Sequence, residues 1–266
     1  MYSDLTICIP TYQNYQQLEW CVSSLVKNTK PYWNIIIVNN CSSKESMTLI
    51  EEILKRSVKE HRELFNIIQP GSNLRWMGSI NIGLHSIHSL DSNYFCMMND
   101  DVLFIPSKDD FWEALIYPFS DDQVGAVGPC SNFVAGNQSL FQTQLPDMIE
   151  TSCLIGMCMV VRTSLLKSIG GLDESLPGGD DLDSSIRMRD THHRLIINRN
   201  AYLHHIGQQT GHRVVGDWDS NLHQEKTNNA IIKKHGIKKW LNCWSHKWQD
   251  YNLHDEAEVV GSELAL

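Results

Sequence analysis

Asp180-Asp181-Leu182-Asp183 sets three carboxylates within four residues, directly after the pair Gly178-Gly179. The stretch that follows, Ser184-Ser-Ile-Arg-Met-Arg189, reads as the start of a helix. Aspartate is a poor mid-helix residue and a good cap, so the cluster belongs at a loop-to-helix junction. Negative charges that close repel one another unless something positive or protic stands opposite. A catalytic proton, a substrate hydroxyl or a metal would serve; so would a plain cap with two solvated neighbours. A second cluster, Asn99-Asp100-Asp101, follows the apolar run Tyr94-Phe-Cys-Met-Met98. Adjacent carboxylates at the end of a buried strand suit a hard divalent cation that also ligates phosphate oxygens. The plainer use is a turn with a capping aspartate.

The elements that must carry these clusters alternate. Leu5-Thr-Ile-Cys-Ile9, Ile35-Ile-Ile-Val38, Phe65-Asn-Ile-Ile68 and Tyr94 to Met98 read as buried strands, the first stopped by Pro10. Between them, Leu18, Cys21, Val22, Leu25 and Val26, then Leu49, Ile50, Ile53 and Leu54, then Met77, Ile80, Leu84 and Ile87, recur at helical spacing. Strand and helix in alternation predict an α/β fold, a mostly parallel central sheet flanked by helices. Such sheets bind ligands at the carboxyl ends of their strands. After residue 105 the loops lengthen, with strands expected at Val124–Val127 and Leu154–Val161. From Asn221 the pattern is helical and partly basic, and Trp240, Trp244 and Trp248 fall on one face, expected to pack on the domain. We therefore divide the chain into a ligand-binding domain, 1–219, and a C-terminal helical extension with an acidic tail, 220–266.

At 266 residues and 42% hydrophobic, the chain can bury one large core or two modest ones. Its eight cysteines form no CxxC pair and several lie in apolar runs, as buried thiols of a reducing compartment do. No apolar run approaches membrane-spanning length and the N-terminus has no signal pattern, so a soluble, cytoplasmic protein is expected. A formal charge of −9 argues against general nucleic-acid binding. The lysines 233, 234, 238 and 239 would help the C-terminal helices meet an anionic membrane surface.

Six segments, in order, resemble family 2 glycosyltransferases of the GT-A (Rossmann-like) fold. They are Ile7-Cys-Ile-Pro-Thr-Tyr-Gln-Asn14, Ile35 to Ser43, Asn73 to Gly83, Met98-Asn-Asp-Asp-Val102, Gly170-Gly-Leu-Asp-Glu174 with Asp180 to Arg187, and His205-Ile-Gly-Gln-Gln-Thr210. The look is nearest to the branch with rhamnosyl- and galactofuranosyl-transferases. The resemblance implies an inverting transfer of a hexosyl or deoxyhexosyl group from a nucleotide-diphosphate sugar to a hydroxyl of a glycan, glycolipid or other glycoconjugate. It implies Mn2+ or Mg2+, held by Asp101 and His205 with help from Asp100, against the diphosphate. His204 would point the other way on a strand. Asp181 would be the general base and Asp180 would orient the acceptor, while Asp183 and Arg187 would pin the helix.

The resemblance also implies that Pro10, Thr11 and Tyr12 pack the nucleotide, and that Asn73, Arg75 and Asn99 reach it or its phosphates. Asn39 stands where the family often has Asp; its amide oxygen could still accept from a base N3–H, which favours UDP or dTDP. Trp76 would line a pocket or pack. The glycine-punctuated stretch Gly207 to Asp219 would close over bound nucleotide. Two rivals remain: a degenerate member that binds without turnover, and a nucleotidyltransferase. The second wants a Gly-rich basic loop after the first strand, and Tyr12-Gln-Asn-Tyr-Gln-Gln17 is not one.

Overall fold

The computed structural model describes residues 4–30, 33–41, 43–58, 61–86, 92–207, 220–245 and 249–250. Strands β1 (Leu5–Thr11), β2 (Trp33–Asn39), β3 (Phe65–Ile68) and β4 (Tyr94–Met98) pair in parallel, in the order β4-β1-β2-β3. Their crossovers carry helices α1 (Tyr15–Asn28), α2 (Lys44–Ser57) and α3 (Arg75–Leu84). The near-continuous apolar runs split by alternation. Ile7, Ile9, Ile35 and Ile37 pack with Leu18, Val22, Ile50 and Leu54 on one face of the sheet. Cys8, Ile36 and Val38 pack with Ile80 and Leu84 on the other. Both faces are covered, as parallel sheets require.

Two details differ from expectation. β1 continues through Pro10 to Thr11, because its ladder to β4 ends at Cys8 and beyond that only β2 flanks it. A missing N–H is tolerated there. The strand expected at Leu154–Val161 begins only at Cys158; residues 154–157 are a loop against the acidic cluster.

The remaining chain makes the sheet mixed. It adds β5 (Val102–Phe104), α4 (Phe111–Ile116), β6 (Val124–Ser131), β7 (Met148–Thr151), β8 (Cys158–Arg162) and α5 (Thr163–Ser168). Next come α6 (Asp180–Asp190), β9 (Arg194–His205), α7 (Ser220–His235), α8 (Ile237–Cys243) and β10 (Gln249–Asp250). The order is β10-β7-β9-β6-β8-β4-β1-β2-β3, with β5 beside β9. β8 enters antiparallel to β4, whereas β6 and β9 run parallel. α7 and α8 form the C-terminal helical extension and pack on α6. Trp240 is packed against the core, Trp244 is partly exposed, and Trp248 lies outside the described residues. No helix among the described residues is long and apolar enough to cross a membrane.

Candidate active site

Strand pairing makes the first half of the site. β4 ends at Met98, and the Asn99 N–H donates to the Met157 carbonyl at 3.0 Å. The chain then turns through Asp100 and Asp101 into β5, which pairs antiparallel with β9 and sets Val102 opposite His205. The register extends by one bond, Ile206 N–H to the Asp101 carbonyl at 3.0 Å. Residues 101 and 205 thus meet although 104 positions separate them. His205 Nε2 lies 3.2 Å from Asp101 Oδ1 and 3.1 Å from Asn99 Nδ2. Its Nδ1 donates to the Phe133 carbonyl at 2.9 Å. Asn132 clamps the His205 backbone from both sides, accepting its N–H at 2.8 Å and donating to its carbonyl at 3.1 Å. His204 faces the other way, its Nδ1 3.4 Å from the Tyr202 hydroxyl.

These donors fit a divalent cation. With Nδ1 committed to a carbonyl, neutral His205 turns the Nε2 lone pair towards the Asn99 amide and the Asp101 carboxylate, and a proton or a cation there would relieve the repulsion from the carboxylate. Burial pushes the His205 pKa down, but the Asp101 carboxylate and the Phe133 carbonyl outweigh it, and the net direction is up. Asp100 Oδ2 is buried with no hydrogen-bond partner among the described residues, and the buried Asp101 Oδ1 has His205 Nε2 beside it. Asp100 accepts from Asn14 Nδ2 at 2.9 Å through its other oxygen, and burial raises its carboxyl pKa to about 7. No group of three His, Cys, Asp or Glu able to hold a metal occurs among the described residues.

The second half comes from the first turn of α6. Gly179, at φ +75, caps the helix, and the acidic residues follow on a positive helix end. Trp76 Nε1–H, from α3, donates to Asp180 Oδ2 at 2.8 Å. Asp181 Oδ1 accepts the Leu182 N–H at 2.8 Å. A Cβ on Gly156 would stand 3.6 Å from the Asp181 Cβ, so both carboxylates lie against that glycine. Met157, the next residue, is the acceptor for Asn99. The acid pair thus lies against Gly156, while Asn99, which meets His205, bonds the next residue, Met157, at the carboxyl edge of β4.

Burial, then the neighbouring Asp181 charge, raises the Asp180 pKa to about 7. Burial also raises Asp181, opposed by the N–H groups of Leu182 and Gly156. A raised folded pKa means the native state keeps a proton that the unfolded chain releases. Asp180 therefore lowers stability as pH rises from about 4 to about 7. Asp180→Asn still accepts from Trp76 but carries no charge. Its stability gain should be nil near pH 4 and level off above pH 7 at about 1–2 kcal/mol, allowing for partial exposure. Thermal melts across that range check this.

The nucleotide-side residues divide. Thr11 closes β1, Tyr12 is half-buried just after it, and Asn14 and Asp100 lie beneath, all at the β1 and β4 carboxyl ends. Pro10 is buried within the strand. Asn73 and Arg75 are exposed at the start of α3, where the Asn73 side chain accepts the Arg75 N–H at 2.8 Å. Arg75 donates to the Glu174 carbonyl at 3.3 Å. Asn39 needs a correction. It is fully buried, its oxygen accepts from the Cys41 N–H at 3.2 Å and its nitrogen donates to Ser46 Oγ at 2.9 Å. Its amide is committed to the turn after β2. Of the expected closing loop, residues 208–219 lie outside the described residues.

Sequence reasoning missed Asn14, Asn132 and Gly156, which act only through contacts the fold creates. It also left Asn40 unused: this buried amide accepts from Leu74 N–H and Ser79 Oγ, tying α3 to the end of β2.

The family model described as "Glycosyl transferase family 2" matches residues 6–170. Among solved structures, the chain is similar to the mannosyltransferase PcManGT from Pyrobaculum calidifontis in complex with GDP-Man and Mn2+. The identity is 16% and the TM-score 0.65, over 86% of this chain and 64% of that one. It is similar to GalNAc-T7 with UDP, GalNAc and Mn2+ at 13% identity and TM-score 0.65, over 86% and 48%. It is also similar to S. aureus TarS 1-349 in complex with UDP-GlcNAc, at 16% identity and TM-score 0.62, over 89% and 69%. At such identities the likeness is one of fold. The chain spans less than two thirds of the length of the first two. No curated protein matches it.

Proposed function

The chain belongs to glycosyl transferase family 2, and on that premise we propose that it is a metal-dependent, inverting glycosyltransferase. It would move a hexosyl or deoxyhexosyl group from a nucleotide-diphosphate donor to a hydroxyl of a glycan or glycoconjugate. One arrangement supports this: Gly156 lies against Asp181, and Asn99, which bonds Met157, meets His205 of the Asp101–His205 pair. A base and a diphosphate site must be that close for a hydroxyl to attack the sugar carbon opposite its leaving group.

Asp181 takes the proton of the acceptor hydroxyl, and the upward shift that burial gives its pKa makes it a stronger base. Asp180, fixed by Trp76, orients that hydroxyl. Asp101 and His205, with Asp100 beside them, hold Mn2+ or Mg2+, which when bound would neutralise charge on the departing diphosphate. An imidazole ligand favours Mn2+. UDP or dTDP is the proposed nucleotide; uridine nucleotides in two of the three similar structures support it, and Asn39 no longer does. The acceptor is proposed to be a glycolipid met at a membrane surface. Ile237, Leu241 and Trp244 are exposed along one face of α8 beside Lys238. Lys234 and Lys239, by contrast, are taken by carboxylates within the protein.

A thermal-shift panel of UDP-, dTDP- and GDP-sugars, with and without Mn2+, tests the reading. A donor at 100 times its Kd should stabilise by about 2.7 kcal/mol, a rise of several degrees, only when the cation is present. Asp101→Asn and His205→Ala should abolish the cation-dependent part. Shifts indifferent to Mn2+ and to both variants would remove the metal from the proposal, and binding without turnover would favour the degenerate rival.

A further inference from the structure

Asp183 lies one turn beyond Asp180 on α6, its side chain 0% exposed. Its Oδ2 accepts from Arg187 Nε at 2.8 Å, and Arg187 Nη1 continues to the Ile169 carbonyl at 2.6 Å. Its Oδ1 meets Lys234 Nζ and His235 Nε2, each at 2.6 Å, from the last turn of α7. Lys234 also reaches Asp173 Oδ2 at 2.6 Å. Earlier on α7, Thr227 and Ile231 press on the glycine pair. A Cβ on Gly179 would come within 2.8 Å of Thr227 Cγ2, and one on Gly178 within 3.0 Å of Thr227 Oγ1. The C-terminal extension thus grips α6 on both sides of Asp180-Asp181, at the loop before and at the carboxylate after.

The grip is electrostatic as well as steric. Three carboxylates share the first turn of α6, and uncompensated charge on any one makes the others harder to ionise. Arg187, on the same helix, and Lys234 and His235, from α7, face Asp183; Asp173 shares Lys234 from the turn before α6. Around Asp180 and Asp181 stand the Trp76 indole and the Cys153 and Cys243 thiols, and no cation among the described residues meets either carboxylate. We infer that α7 is a positioning element of the active site. Lys234 and His235 hold Asp183, with Lys234 compensating its charge, which fixes the first turn of α6 and limits the repulsion that opposes ionisation of the Asp180–Asp181 pair. The catalytic part of this rests on the function proposed above; the electrostatic part does not.

The test is a carboxyl titration by NMR on the full chain labelled with 13C at the aspartate Cγ, which needs no turnover. Lys234→Met should move the midpoints of Asp180 and Asp181 up by about one pH unit, and Lys234→Arg should restore them. If a donor is turned over, kcat at neutral pH should fall with the donor KM held. A lower Tm in Lys234→Met with unmoved midpoints would overturn the inference, leaving Lys234 a structural clamp. Should that variant fail to fold, His235→Gln is read by the same two outcomes. A wild type without turnover sinks the proposed function, yet the titration still decides this point.

Discussion

Asp181→Asn is expected to cost about 10²–10⁴-fold in turnover while leaving donor binding intact. The substitution is isosteric, and the new amide oxygen still accepts the Leu182 N–H that Asp181 Oδ1 accepts at 2.8 Å. What disappears is the group able to take a proton. Donor affinity should hold, because the groups proposed to hold the cation are Asp101 and His205, whose side chains pair with each other. Turnover and the Mn2+-dependent thermal shift, measured on the same preparation, separate the two effects. A variant that binds donor as before but transfers slowly locates the base. Activity within tenfold of wild type would mean that the base is another group, and Asp180, held at 2.8 Å by Trp76, would be next to test.

The contrast between Asp181 and Asn39 shows how far the residues could be read without coordinates. β1, β2 and β4 were legible because both faces of the sheet are buried there, so each carries a near-continuous apolar run such as Ile35 to Val38. The helices between them announced themselves by spacing. The second half was less so. β5 has three residues, too few for any period, and β9 carries Arg194, Asn198, Arg199 and Asn200 inside its run. Those polar groups are satisfied by long-range partners, as when Arg199 donates to the carbonyls of Asn137, Ser139 and Gln142. Without β5 and β9, the meeting of Asp101 and His205 is not visible in spacing; the resemblance supplied it, and the register explains it. The same resemblance assigned Asn39 to a nucleotide base. It failed to foresee that an amide, unlike a carboxylate, has a donor to place, and here Ser46 receives it. Asn14, Asn132 and Gly156 carry no signal of their own, since each matters only for what the fold brings beside it.

The largest expected effect on stability lies at Asp183. Burial alone would raise its pKa, but Lys234, His235 and Arg187 outweigh burial and hold it below the usual carboxylate range. A folded pKa below the unfolded one gives stability that is fully present above the ordinary value. That stability is lost as pH falls through the folded pKa. Asp183→Ala removes the one group that Arg187, Lys234 and His235 share, leaving two cations and an imidazole crowded in a site with no exposed surface on the acid. Breaking a buried ion pair from one side costs about 3–5 kcal/mol. Urea unfolding at pH 7 should show that loss as a lower midpoint with an unchanged slope, and the gap to wild type should narrow as pH falls below about 3.8. A double variant, Asp183→Leu with Lys234→Met, should recover part of the loss, since replacing charged partners together by apolar groups is often neutral. Recovery would show that the single variant suffers from stranded cations. Equal losses in both variants would instead trace the cost to packing around α6 and α7, where Ile186, Leu182 and Ile231 are buried together.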